Sequence, residues 1–308
     1  MLALSHHCSG NQVLAQEHCE EGLRLATTST EEPLLNFRRP QVLLTLARTL
    51  WLRGHPDRAV TIARQVMADE ASLSHPVDKC LALLLCEPIF IWRGEWDEAE
   101  RLLDIMDKHV ERYALTSHRG VAMGFRGELL IKIGRPEEGC KLLRAADSRQ
   151  KAVLNASHAT YVARALAEGL AAIGSIDEAL VTVASAIHEA QRRGGTWDLP
   201  ELLLLKGVLQ ASRAPVDARV VDEALLSAIE LAHRQGALAL ELRATTALAR
   251  ERLRRGASAD VLSDLSAIYA MFTEGMETAD LKAARSLLER RMEPGRRAAQ
   301  VVKRHQAH

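Results

Sequence analysis

The chain has 308 residues, 47% of them hydrophobic but only 4% aromatic, so alanine and leucine must pack any large core. Forty basic and forty acidic residues cancel, leaving no global field to steer the chain onto nucleic acid or anionic lipid. The longest apolar runs, such as 81–85 and 202–205, fall far short of the roughly 20 residues that span a bilayer, and a composition of helix formers poor in aromatics argues against a sheet fold.

At the N-terminus, residues 1–10 lack the basic-then-apolar pattern of a secretory signal, which places the protein in the cytoplasm. Gly10 followed by Ala15 carries a turn signature that recurs downstream, so the residues after it predict the second helix of a unit. Residues 1–9 are too short to supply its stable first helix. Residues 1–35 are therefore expected to be a partial, truncated repeat, in a chain that begins inside an array.

Gly54, Gly94, Gly134 and Gly174 then fall forty residues apart, each followed five positions later by Ala59, Ala99, Gly139 or Ala179. The same shift aligns Leu50, Phe90, Leu130 and Leu170. It also aligns Ala63, Leu103, Leu143 and Val183, and then Val66, Met106, Ala146 and Ala186. Positions 5, 9 and 12 after each glycine make one helical stripe. Each glycine suits a left-handed helix C-cap, and Pro56 and Pro136 suit the first position of the helix that follows. Acidic residues such as Asp57, Asp97, Glu137 and Asp177 crowd that first turn, where they complement the helix dipole.

The pattern predicts helix pairs over 40–53 and 56–70, 77–93 and 96–113, 117–133 and 136–150, and 157–173 and 176–193. A fifth pair, 198–212 and 217–235, has Ala214 where the next glycine would fall. A sixth, 237–255 and 258–272, follows a two-residue slip to Gly256, and a helix over 278–291 covers the open end. The solenoid is expected over 36–292, and the remaining 293–308, with Arg296, Arg297, Lys303 and Arg304, reads as a disordered basic tail.

A helix-turn-helix unit with a small residue early in its second helix resembles the tetratricopeptide repeat, although a period of forty exceeds the usual 34 or so. The resemblance implies an all-α, right-handed superhelix of about six such repeats. Three segments, TWDLPELLLLKG (196–207), AHRQGALALELRATTALAR (232–250) and FTEGMETADL (272–281), resemble the C-terminal region of bacterial regulators. Those proteins join a winged-helix DNA-binding domain and an ATPase module to tetratricopeptide-like repeats; similar tails follow the ATPase module of some class III adenylate cyclases. That resemblance implies a cytoplasmic signalling protein whose repeats bias an attached ATPase or DNA-binding domain. A phosphate loop needs a Gly-Lys dipeptide, which is absent from this chain.

Candidate sites are sparse. Tyr161, Arg164 and Glu168 share a face of one helix and form a candidate partner-binding group. At the forty-residue shift Glu128 aligns with Glu168, but Pro88 stands in the preceding unit, so no consistent charged groove is expected. Trp51, Trp92, Trp96 and Trp197 flank turns and suit wedges between repeats. His6, His7 and Cys8 lack the paired spacing of a zinc site. His118, His158 and His188 read as surface or loop residues. Five cysteines without short pairings read as free thiols. Glu274, Glu277 and Asp280 lack the calcium-loop pattern and suit a helix junction, with Gly275 breaking one helix, Thr278 capping the next, and Phe272 packing with Leu281. No nucleophile elbow or His-Glu-x-x-His motif occurs. The expectation is a non-catalytic scaffold without metal or cofactor, binding a protein or peptide partner or the ATPase domain of a parent protein. The alternative is a helical domain that binds a small-molecule effector.

Overall fold

The structure is a computed structural model that describes residues 2–28, 33–69, 73, 75–150, 156–192, 197–213 and 215–289. The predicted tail over 293–308 and the Ala214 turn lie outside them. The first helices are α1 (Leu2–Cys8), α2 (Gln12–Thr28), α3 (Pro33–Leu52), α4 (Pro56–Ala68), α5 (Pro76–Arg93), α6 (Trp96–Arg112), α7 (Thr116–Lys132) and α8 (Pro136–Gln150). They are followed by α9 (Ala156–Ala172), α10 (Ile176–Arg192), α11 (Leu199–Ala211), α12 (Ala218–Arg234), α13 (Leu238–Arg254), α14 (Ser263–Tyr269) and α15 (Ala279–Glu289). Among the described residues no strand occurs, and no helix is long and apolar enough to cross a membrane.

The forty-residue register is a register of helix caps. Gly54, Gly94, Gly134 and Gly174 have φ of 92°, 80°, 84° and 81°, the left-handed region that a side chain disfavours. After each of them the next amide closes the turn on a carbonyl five residues back, as in His55 N to Leu50 O at 2.8 Å and Ser175 N to Leu170 O at 2.8 Å. That bond, with the one from the glycine N–H, satisfies carbonyls that the helix end would otherwise orphan. The apolar columns fill the space behind the turns: Leu50, Phe90, Leu170, Ala63, Leu103, Leu143 and Val183 are fully buried. Gly10 shares the conformation, with φ of 87°.

Three boundaries differ from the prediction. Helix α3 begins at Pro33 rather than at residue 40, with Pro40 inside it; Pro33 takes the first-turn position where a missing N–H costs nothing. The short α1 occupies part of the stretch judged too short for a stable helix, because Ala3 and His7 are buried against the array. After α13 the expected helix over 258–272 is broken into a 3-10 turn, Ala259–Leu262, and α14. The chain leaves the helix after Tyr269 so that Phe272 can enter a second core with Leu242, Leu265 and Leu281. Thr278 caps α15, its Oγ1 accepting from Leu281 N at 3.4 Å.

The array closes on itself. The first helices of successive pairs, α3, α5, α7, α9, α11 and α13, each touch the next, and α13 touches α3, making a ring of six around a lumen. At the seam, Glu274 Oε1 accepts from Asp57 N and Arg58 N at 2.9 and 3.0 Å, while Asp57 Oδ2 accepts from Gly275 N at 2.8 Å. A carboxylate thus caps the start of α4, and α4 returns the bond. Nearby, Trp197 N donates to Cys8 O and Gln12 N to Gln235 O, both at 3.1 Å.

Gly275 makes the seam testable, because its φ is +76° and an added Cβ would stand 2.1 Å from Pro56 Cγ, whereas Gly134, at φ +84°, has open space around it. Gly134→Ala is expected to cost about 1–2 kcal/mol from the left-handed backbone alone. Gly275→Ala adds a clash and should cost about 3 kcal/mol or more. Urea denaturation of the two variants checks this; equal losses would show that the ring opens without cooperative cost.

Candidate functional site

The inner helices turn polar stripes into the lumen. On α9, Tyr161 and Arg164 are each 3% exposed. Arg164 is the hub of an ion network: Nη2 lies 2.7 Å from Glu128 Oε1 on α7, Nη1 lies 2.6 Å from Glu168 Oε1, and Nε lies 3.7 Å from Glu201 Oε2 on α11. Glu168 also pairs with Lys132 at 2.7 Å. Arg243 of α13 pairs with Glu201, and its Nε is 3.4 Å from Asp280 of α15. The network therefore joins five helices.

Burial penalises each of these charges, and partners decide which survive. For Arg164 burial alone lowers the pKa, but Glu128 and Glu168 reverse that and raise it. For Glu168 burial pushes up, and Arg164 and Lys132 pull the carboxyl down to about 2. Glu87 has no such help. It is 1% exposed, neither carboxyl oxygen has a partner, and burial followed by the nearby Glu128 charge raises its pKa well above the usual carboxylate range.

An aromatic layer divides the lumen. Trp92 lies between Trp51 and Trp197, with ring centroids 5.8 Å away on each side, and the Arg48 guanidinium sits 5.1 Å from the Trp197 centroid and 5.8 Å from that of Trp92. On one side is a cavity of about 290 Å³ bounded by Trp51, Trp96, Glu128, Arg164 and Arg243. It continues through Glu201, Arg243 and Asp280 into a hollow of about 360 Å³ lined also by Glu168 and Arg250. On the other side is a cavity of about 220 Å³ lined by Arg48, Phe125, His158 and Tyr161. The three residues singled out on α9 thus border three different hollows.

Several sequence expectations change here. A charged cluster exists where none was expected, because the inner residues do not keep the forty-residue step: Glu128 to Arg164 is 36 residues and Arg164 to Glu201 is 37. Three or four residues short of forty is one helical turn, which leaves a side chain on the same face. A search allowing that slip would have found the ladder. His158 is not a surface residue; it is 8% exposed, stacked on Tyr161 with centroids 5.6 Å apart. His7 is equally internal, its Nδ1 2.9 Å from Gln12 Oε1 and 3.2 Å from Thr49 Oγ1. Burial, then the Arg48 charge, lowers both imidazoles to about 3, so both are neutral. Among the described residues no group of three or more potential metal ligands occurs. Glu274, Glu277 and Asp280 disperse to the α4 cap, to Lys282 at 2.9 Å and to Arg243. The five cysteines are free thiols, and burial raises Cys19 to about 12 and Cys80 to about 11.

No family model matches the chain, and no curated protein sequence matches it. Among solved structures it superposes on a Rap protein complexed with competence and sporulation factor, with a TM-score of 0.60 at 13% identity over 91% of this chain and 72% of that one. It also superposes on yeast Tom70, with a TM-score of 0.51 at 15% identity over 96% of this chain and 62% of that one, less than two thirds of its length. A signal transduction ATPase with numerous domains and a tetratricopeptide repeat sensor, from Pyrococcus horikoshii, gives 0.47 at 13% identity over 85% and 45%; at that score no conclusion rests on it. At these identities the likeness shows the fold, an all-α tetratricopeptide-like solenoid.

The network makes two predictions. Arg164→Met leaves the buried Glu128 without its counter-charge, while Glu201 keeps Arg243, and should cost about 3–5 kcal/mol by chemical denaturation. Glu87 works in the opposite sense. Its folded pKa is raised above the unfolded value of 4.5, so its stability contribution is full below pH 4.5 and is lost as pH rises towards the folded pKa. Glu87→Gln should therefore be more stable than wild type at pH 8, with the advantage shrinking to near zero by pH 4.5; denaturation curves across that range check it.

Proposed function

We propose that the protein is a non-catalytic interaction module whose lumen takes a short peptide segment. The observation that carries this reading is the continuous cleft from Trp96 to Arg250, where about 290 and 360 Å³ of space adjoin through Glu201, Arg243 and Asp280. Charges of both signs along the cleft match a mixed-charge segment, and the Trp51 and Trp92 rings offer a wall for one apolar side chain. The Rap protein of similar fold is complexed with competence and sporulation factor, which supports a binding role for this solenoid. The three C-terminal segments that resemble bacterial ATP-dependent regulators support a cytoplasmic signalling role, in which occupancy of the repeats biases an attached ATPase or DNA-binding domain. The zero formal net charge of the chain favours protein over nucleic acid as partner.

Selection from a displayed random-peptide library followed by calorimetry tests the reading. Enriched peptides are expected to lose at least about tenfold in affinity on Trp96→Ala or Arg250→Glu, residues exposed enough for the fold to tolerate the change. No enrichment, or affinity indifferent to both substitutions, would reject it.

A further inference from the structure

The cavity of about 220 Å³ on the far side of the Trp92–Trp197 layer has no part in the cleft. Its walls are largely apolar, with Leu81, Leu85, Pro88 and Phe125 among them. Yet three polar residues line it, and Arg48 Nε, Tyr161 Oη and His158 Nε2 are all buried and unbonded. Among the described residues no ion pair or hydrogen bond reaches Arg48, which is 8% exposed and held only by the faces of Trp92 and Trp197. Leaving a guanidinium dehydrated and unpaired is among the costlier arrangements a fold can retain.

The three groups have complementary roles. Arg48 supplies positive charge and planar donors. The Tyr161 hydroxyl supplies a donor. The His158 imidazole is neutral, and its Nε2 has no partner, so it can accept a hydrogen bond. Their rings are locked: Phe125 stands edge-on to both His158 and Tyr161, with centroids at 5.1 and 5.0 Å. One positive charge suits a monoanion; a phosphate dianion would need more. The volume lies below the roughly 300–1,000 Å³ of sites for drug-sized molecules, so the ligand is compact.

We propose that this cavity is a binding site for a compact monocarboxylate with an apolar body, its carboxylate held by Arg48 and Tyr161 and a neighbouring hydroxyl donating to His158. The site is independent of the peptide cleft, and either can fail without the other.

3-Phenyllactate is the probe, and 3-phenyllactamide its uncharged control. Calorimetry and tryptophan fluorescence on the full chain should show saturable phenyllactate binding, with Trp92 and Trp197 reporting, and at least about tenfold weaker binding of the amide. Arg48→Met should lower phenyllactate affinity by at least the same factor while leaving the melting temperature of the free protein unchanged or higher, because an unpaired charge has gone. A purely structural Arg48 would instead lose melting temperature with no ligand effect, and that result overturns the proposal. Tyr161→Phe, which removes a hydroxyl without a partner, gives a second reading: several-fold weaker binding and an unchanged melting temperature are expected. No saturable phenyllactate binding, or equal binding of acid and amide, would likewise overturn it.

Discussion

Contact between α13 and α3 is the constraint on which the rest of the molecule depends. A stack of helix pairs is ordinarily quasi-linear, each unit touching only its neighbours. Here the sixth inner helix reaches the first complete one, and reciprocal caps among Asp57, Glu274 and Gly275 join residues more than 200 positions apart. A concave surface open to water becomes a lumen. Every inner side chain is then judged by the rules of a protein interior, even though each lies on the face that a linear array would leave wet.

That change of solvent explains the division among the buried charges. Arg164, Glu128, Glu168 and Lys132 each find an opposite charge at hydrogen-bond distance, where low dielectric strengthens the attraction as much as it raises the cost of standing alone. Glu87, on the adjacent α5, makes no ion pair among the described residues, and burial and the like charge of Glu128 outweigh the Arg126 charge and raise its pKa. Arg48 cannot follow, since a guanidinium does not deprotonate in proteins. It is instead laid against two indole faces, which supply cation–π attraction but satisfy none of its N–H donors.

Local physics was legible in the sequence, and closure was not. The left-handed glycines, the apolar columns and the acidic first turns are short-range features with a fixed period, and each recurs where a cap or a core position demands it. Closure rests on the curvature accumulated over six units and on one glycine, Gly275, whose value appears only when Pro56 stands against it. The shared face of Tyr161, Arg164 and Glu168 followed from helical spacing alone. Their partners did not, because Glu128 and Glu201 stand one turn off a forty-residue alignment with Arg164, and His158 was misplaced because a lone histidine carries no periodic signal of burial.

Stability and occupancy compete at the same positions. A sequence selected for stability alone would fill the ring with apolar side chains, as the columns behind the turns are filled, and would gain about 1.5–3 kcal/mol for each one fully buried. The inner faces do otherwise. They keep cavities, bury a glutamate whose carboxyl oxygens have no partner, and lay an arginine against indole faces, each a local loss that the caps and columns elsewhere must offset. Arg48, His158 and Tyr161 border one hollow, and the ion network borders another, so part of the cost is tied to the space between the inner helices and to whatever enters it.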